Sequence, residues 1–366
     1  MKKALLINKG WADNFGDQLI KYSLEYLLKE NNYTTDFLDF TEEKKTVGNS
    51  YKSTAKIEKN KEIKISFKRK IFRKALNNNF FKNIIWLYKN PNLFKIDRLK
   101  KDYNIVIIGG GQLILSDSTF PLAMYKWIKI LKYNNSQSEI ILFGVGSEGK
   151  FDFIERFLYS KSLKKLDRLY IRDYESIKLL KDQFNLESEY TPDVGFYISK
   201  AYKLDYKKEK KVLIGITDFL VYKRYNKDRK SKEEYYLFWE NEIVNYMEEG
   251  FEVELFYTTV RDLVESVNLK AVMLKKYGIN VKILYVDTLK ELIHEIAKSS
   301  VLISGRMHGL IIGYSYNCNV VPYVISNKVK SFKEQYIDTN IDINLIQTDI
   351  ETKFKKATMI NKDEYI

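Results

Sequence analysis

The 366-residue chain carries 62 Lys and Arg against 48 Asp and Glu, a formal charge of +14. Its length suits two domains rather than one, and 45% hydrophobic residues place it far from a disordered composition. One cysteine, Cys318, and two histidines, His294 and His308, exclude a disulfide framework and a Cys- or His-rich metal centre, so no metal site is expected.

The charge is local. Residues 41–100 hold 17 Lys and Arg against 5 Asp and Glu, a net of +12, which leaves +2 for the other 306 residues. Whether the protein meets a polyanion is therefore a question about one insert. No recognition-helix or RNA-binding pattern accompanies it, so nucleic acid is not an expected partner. In its second half Phe80, Phe81, Ile84, Ile85, Trp86 and Leu87 alternate with bases. That suits either peripheral contact with an anionic membrane or a helix whose apolar side packs on the body of the protein. Only four apolar residues, Ala4 to Ile7, follow Lys2 and Lys3, too few for a signal peptide. No apolar run is long enough to span a bilayer. The cytoplasm is the expected place, at the inner face of the membrane if the insert holds lipid.

Short apolar runs alternate with longer amphipathic stretches, the pattern of α/β layers on parallel sheets. Residues 4–7 read as a strand, 17–29 as a helix with Leu19, Ile20, Leu24, Leu27 and Leu28 on one stripe, and 37–40 as a weaker strand. After the insert, strands at 105–108, 139–143 and 168–171 run into Gly109-Gly110-Gly111, Gly144-Val145-Gly146 and Arg172-Asp173. The charged stretch 202–211 marks a boundary. A second series follows, with strands at 212–216, 253–257, 281–285, 301–304 and 320–324, and helices at 232–249, 262–276, 289–298 and 310–316. Two Rossmann-like domains facing a cleft, residues 1–205 (with the insert 41–100) and 206–366, are the simplest architecture. Ligands in such sheets bind at the carboxyl ends of the strands.

The most informative stretch is Ser304-Gly305-Arg306-Met307-His308-Gly309, between a buried strand and a helix. A helix start offers unpaired N–H groups, Arg306 a planar fork for carboxylate or phosphate, and His308 a proton donor or acceptor near neutral pH. Either residue alone reads as an ion pair or a cap; clustered at one turn they make an anion site with an acid beside it. Asn14-Phe15-Gly16-Asp17 opens the first helix, where Asn14 suits a cap and Asp17 a favourable first-turn charge. The glycines 109–111 would let a backbone approach a ligand closely, yet they form neither a dinucleotide nor a Walker loop. Arg172 is a ligand group or part of a cap network around Asp173 and Ser176. His294 suits an exposed helix face, and Cys318 a small apolar filler.

In this order and spacing the motifs resemble the polysaccharide pyruvyl transferase family. The likeness rests on Asn14 to Asp17, Gly109 to Gly111, Phe143 to Gly146, Arg172 to Ser176, Pro192-Asp193, and Ser304 to Gly309 with Pro322 and Lys328. It runs from about Lys3 to Tyr336. Met307 stands where that family usually has Leu, and the insert has no quoted counterpart. The resemblance implies a GT-B-like fold and transfer of pyruvyl from phosphoenolpyruvate to two hydroxyls of a sugar. The product is a cyclic ketal in capsule, exopolysaccharide or cell-wall polymer. It further implies His308 as acid and Asp17 or Asp117 as base. Arg306, Arg172, Gly110, Gly111, Met307, Gly309, Asn14, Ser304 and Lys328 would hold the substrates. No cofactor is expected beyond the donor, and the acceptor is a sugar or lipid-linked glycan. A glycosyltransferase using a nucleotide sugar is the rival reading, which the fold alone would allow.

Overall fold

The computed structural model describes residues 2–10, 12–40, 79–91, 97–116, 118–134, 137–226 and 230–359. Most of the basic insert, and Asp117, lie outside them. Strand β1 (Lys2–Asn8) leads into helix α1 (Phe15–Glu30), whose start is set by the Asn14 side chain accepting the Gly16 N–H at 2.9 Å. Strand β2 (Tyr33–Asp39) follows, then α2 (Asn79–Lys89), β3 (Ile105–Leu115), α3 (Phe120–Asn134), β4 (Glu139–Glu148) and α4 (Phe153–Leu163). Strand β5 (Arg168–Ile171), α5 (Tyr174–Phe184) and β6 (Glu189–Tyr190) finish this half. The six strands are parallel in the order β2-β1-β3-β4-β5-β6.

Alternate residues of these strands serve opposite faces. Leu5, Ile7, Val106, Ile108, Ile140 and Leu142 pack with Trp127, Tyr159 and Leu180 from α3, α4 and α5. Leu6, Ile107, Ile141 and Phe143 pack with Leu19, Ile20 and Leu24 of α1. With both faces covered, the strands read as unbroken apolar runs rather than alternating ones.

After a single helical turn, α6 (Ile198–Ala201), strand β7 (Glu209–Gly215) opens a second sheet. It continues through α7 (Phe219–Tyr225), α8 (Lys232–Glu248), β8 (Glu252–Leu255), α9 (Val260–Tyr277), β9 (Lys282–Ile283) and α10 (Leu289–Lys298). Strand β10 (Ser299–Ser304), α11 (Met307–Ser315), β11 (Asn319–Pro322) and α12 (Asn327–Phe332) follow. Its five strands are parallel in the order β11-β10-β7-β8-β9. The strand order reverses between β1 and β3 in the first sheet and between β7 and β10 in the second. Those reversals open crevices at the carboxyl ends, where the sequence motifs lie.

The structure departs from expectation at one point, meets one of two open alternatives at a second, and adds an element at a third. First, β3 and β4 do not stop at their glycines. Gly110 (φ 70°) and Gly144 (φ 67°) sit opposite each other, between the pairs Gly109↔Phe143 and Gly111↔Val145. Left-handed glycines in both strands, Gly110 and Gly111 in β3 and Gly144 in β4, let the strands kink together and stay paired to Leu115 and Glu148. Second, α2 turns Trp86 inward, stacked 5.4 Å from the Phe40 ring, so this helix of the insert packs on the first sheet. Third, the last helix, α13 (Ile343–Thr358), crosses back to the first sheet. Phe354 meets Phe143 edge-on at 5.1 Å, the Tyr33 hydroxyl donates to the Thr358 carbonyl at 3.2 Å, and Arg168 donates to the Ala357 and Met359 carbonyls at 3.1 and 2.8 Å. Phe143 and Tyr170 present apolar surface on that face, and α13 buries it.

A Cβ on Gly110 would lie 1.7 Å from Ile20 Cγ2, whereas Gly278, also at positive φ, has open space around it. Gly278→Ala should cost about 1 kcal/mol from the backbone alone, and Gly110→Ala roughly 3 kcal/mol once overpacking adds. Urea denaturation midpoints of the two variants check the difference.

Candidate active site

The N-terminus of α1 reaches across to the second sheet. The Phe15 N–H donates to the Thr258 carbonyl at 3.0 Å, Asn14 and Thr259 form an antiparallel bridge, and the Phe15 and Tyr257 rings lie 6.4 Å apart. Gly16 is required at this crossing: a Cβ there would lie 2.1 Å from His308 Nδ1. The first motif and the last are thus in contact, though nearly 300 residues separate them.

His308 is the second residue of α11. Its Nε2 is buried, makes no hydrogen bond, and lies 3.7 Å from Asp193 Oδ2. Asp193 is itself buried. Its Oδ1 accepts the Gly195 N–H at 2.9 Å and its Oδ2 accepts from Arg172 Nη1 at 2.7 Å. Arg172 Nη2 donates to Gln112 Oε1 at 2.5 Å. Burial pushes the Asp193 carboxyl upward, but His308 and Arg172 outweigh it and hold the group well below the usual carboxylate range. A carboxylate held toward its ionised form therefore faces the imidazole.

Arg306 precedes α11. Its guanidinium is bidentate on Asp262, Nε to Oδ2 at 2.9 Å and Nη2 to Oδ1 at 2.5 Å. Asp262 is almost wholly buried in the first turn of α9, where it also accepts from the Asp218 N–H and the Thr259 hydroxyl. The pair fixes the plane of the guanidinium while Arg306 still lines the cleft. The helix ladder of α11 starts only at Leu310, which donates to the Arg306 carbonyl at 3.1 Å, so the N–H groups just before it have no acceptor within the helix.

These groups surround a cavity of about 300 Å³ between the sheets. Lys9, Asn14, Asp17, Gln112 and Arg172 line it from the first sheet; Thr258, Arg306, Met307 and His308 line it from the second. Arg224, Tyr225 and Lys328 close one side and are shared with a neighbouring cavity of about 230 Å³. Lys328 Nζ lies 5.7 Å from the Tyr225 ring centre, and Lys9 Nζ 5.1 Å from that of Phe40. Burial, with Arg172 nearby, pulls the Lys328 ammonium down to about 8. Burial raises the Asp17 carboxyl above its ordinary value against the pull of Lys9, His308 and Arg172, which suits a proton acceptor.

The cleft gathers Asn14, Asp17, Arg172, Arg306, Met307, His308 and Lys328. Gly111 lies next to Asp17, whose Oδ1 would be 3.5 Å from an added Cβ. Three other residues expected at the substrate pack closely against neighbouring groups. Gly110 makes room for Ile20 of α1, and Gly309 sits 3.2 Å (from an added Cβ) against the Phe256 ring. Ser304 is fully buried, donating to the Gly215 carbonyl and accepting the Arg306 N–H, both at 3.0 Å, and so sets the turn rather than facing the cleft. Asp117 lies outside the described residues. Lys9, Gln112, Arg224, Tyr225 and Asp262 were not expected. Asp262 reads in the sequence as an ordinary first-turn acid after a Thr cap, and the others carry no local signal.

The family model for polysaccharide pyruvyl transferase matches residues 14–327. Among curated protein sequences none matches the chain. Solved structures with a similar course include heptosyltransferase WaaC of E. coli, at 11% identity over 93% of this chain and 100% of that one, with a TM-score of 0.41. S. aureus MnaA, solved with UDP, is 13% identical over 96% and 91% of the two chains, TM-score 0.47. The UDP-GlcNAc 2-epimerase of Methanocaldococcus jannaschii is 11% identical over 99% and 94%, TM-score 0.47.

Two outcomes follow from this geometry. Sulfate keeps its charge across the neutral range, so its affinity for the cleft should fall as pH rises through about 8, where Lys328 loses its proton, and Lys328→Met should flatten that dependence; calorimetric titration at several pH values reads both. Asp193→Asn removes one partner of a buried pair and should cost on the order of 3 kcal/mol in urea denaturation.

Proposed function

Because the chain belongs to the polysaccharide pyruvyl transferase family, we propose that it transfers pyruvyl from phosphoenolpyruvate to two hydroxyls of a sugar, releasing phosphate and leaving a cyclic ketal. The observation that carries this reading is the convergence of Arg172, Arg306, Lys328 and Lys9 on one cleft with His308 at its wall. The donor is a small dianion or trianion with a carboxylate and a phosphate on three carbons. A guanidinium held flat by Asp262, a helix N-terminus and two lysines suit those two anionic ends.

The reaction asks for one acid and one base. A sugar hydroxyl adds to C2 of the enol while C3 gains a proton; the phosphate then leaves from C2, and the second hydroxyl closes the ring and gives up its proton. His308, facing ionised Asp193, is suited to hold a proton and deliver it to C3 or to the departing phosphate. Asp17, across the cleft with a raised affinity for protons, is suited to take one from the acceptor hydroxyl. The acceptor is a sugar or glycan, in free or lipid-linked form, of a capsule, exopolysaccharide or cell-wall polymer, and the reaction belongs on the cytoplasmic side. The chain's own groups suit each of these proton steps.

Incubation with phosphoenolpyruvate and a panel of sugars should release phosphate and add a pyruvate ketal to one acceptor by mass. Turnover with nucleotide sugars and none with phosphoenolpyruvate would sink the reading. His308→Ala should lower turnover by about 100- to 10,000-fold. Arg306→Ala would strand buried Asp262, so Arg306→Lys is the cleaner test: it keeps a charge but loses the bidentate fork and should raise KM for the donor at least about tenfold.

A further inference from the structure

Helix α4 presents a surface that neither the core nor the cleft uses. Tyr159, Ser162 and Leu163 anchor it to the first sheet, and the Tyr159 hydroxyl bonds the Leu115 backbone. On the opposite side Phe153 is 84% exposed, Phe157 50% and Ile154 48%. Phe153, Phe157, Lys161 and Lys164 follow one another at helical spacing, so two aromatic rings and two ammonium groups form one stripe. Lys161 Nζ lies 5.7 Å from the Phe157 ring centre. Lys150, Arg156 and Lys165 are exposed as well. The acids of this stretch are engaged: Asp152 and Glu155 form the capping box of α4, and Glu155 is buried.

We propose that this face of α4 docks on an anionic lipid surface. Side chains such as Phe153 and Phe157 gain by leaving water for the acyl boundary, and the lysines beside them reach headgroup phosphates. A protein partner fits less well, because protein interfaces are depleted in lysine, and here lysines share the stripe with the rings. Each cation near such a surface adds to the attraction. The face also lies at a telling place. Glu148, five residues before Phe153, lines the cavity of about 230 Å³ beside the cleft, so the docking face follows directly on that cavity's wall in the chain. That placement suits an acceptor carried on lipid, but the docking stands whether or not the chemistry proposed above is right.

The test is co-sedimentation of the full chain with phosphatidylcholine vesicles, with and without phosphatidylglycerol. The wild type should bind the mixed vesicles, release them as salt rises, and ignore the neutral ones. Phe153→Ser/Phe157→Ser and, separately, Lys161→Glu/Lys164→Glu should each weaken binding at least about tenfold. Both alter exposed positions, so thermal melts should match the wild type. Wild type that ignores anionic vesicles, or that binds them unchanged in both variants, would overturn the proposal. So would a wild-type dimer on size exclusion that Phe153→Ser/Phe157→Ser dissolves, since a second copy would then be the occupant.

Discussion

Burying the Asp193 carboxylate takes a negative charge out of water, and groups from three places in the chain offset that cost. Arg172 comes from the end of β5, the Gly195 N–H from the turn that Asp193 itself begins, and His308 from the start of α11 in the other sheet. An unpaired buried carboxylate costs several kcal/mol, so each partner is held in place by the need to neutralise it. The arrangement sets His308 of the second sheet 3.7 Å from Asp193 of the first, while the Phe15–Thr258 hydrogen bond ties the two through backbone.

A second buried carboxylate does the same for the guanidinium. Asp262 and Arg306 face one another across the β10–α11 turn, and Ser304 holds the turn's backbone. The cleft therefore contains cations of two kinds. Arg172 and Arg306 are balanced by carboxylates and serve as rigid donors. Lys9 and Lys328 lie against aromatic rings instead. An anion entering the cleft meets donors set before it arrives, which lowers the ordering cost of binding. The large formal charge of the chain has little part in this, since it belongs mostly to residues 41–100.

Most of this fold was legible in the sequence because a parallel sheet covered on both faces writes its strands as apolar runs; residues 168–171 and 289–298 match the structure to the residue. The motif residues Asn14, Arg172, Arg306 and His308 were legible because strand ends are where polar clusters are out of pattern. What stayed hidden depends on partners distant in sequence. Asp262 acquires its role only from Arg306, 44 residues away, and Lys9 and Arg224 become cleft groups only through the meeting of the sheets. Ser304, Gly110 and Gly309 show a related effect: a motif residue can be set by the turn it must make and the helix it must admit as well as by what it touches. The chain passes from the first sheet to the second between β6 and β7, and α13 then returns to the first.

That return has a consequence for how the protein is made. A ribosome releases the first sheet long before residues 343–358 exist, yet those residues cover the face that carries Phe143 and Tyr170. The half synthesised first must wait, with aromatic surface open, for the half synthesised last. Folding here cannot proceed strictly from one end to the other; the final helix acts as the closing stitch, and the nascent chain is most vulnerable to aggregation just before it emerges.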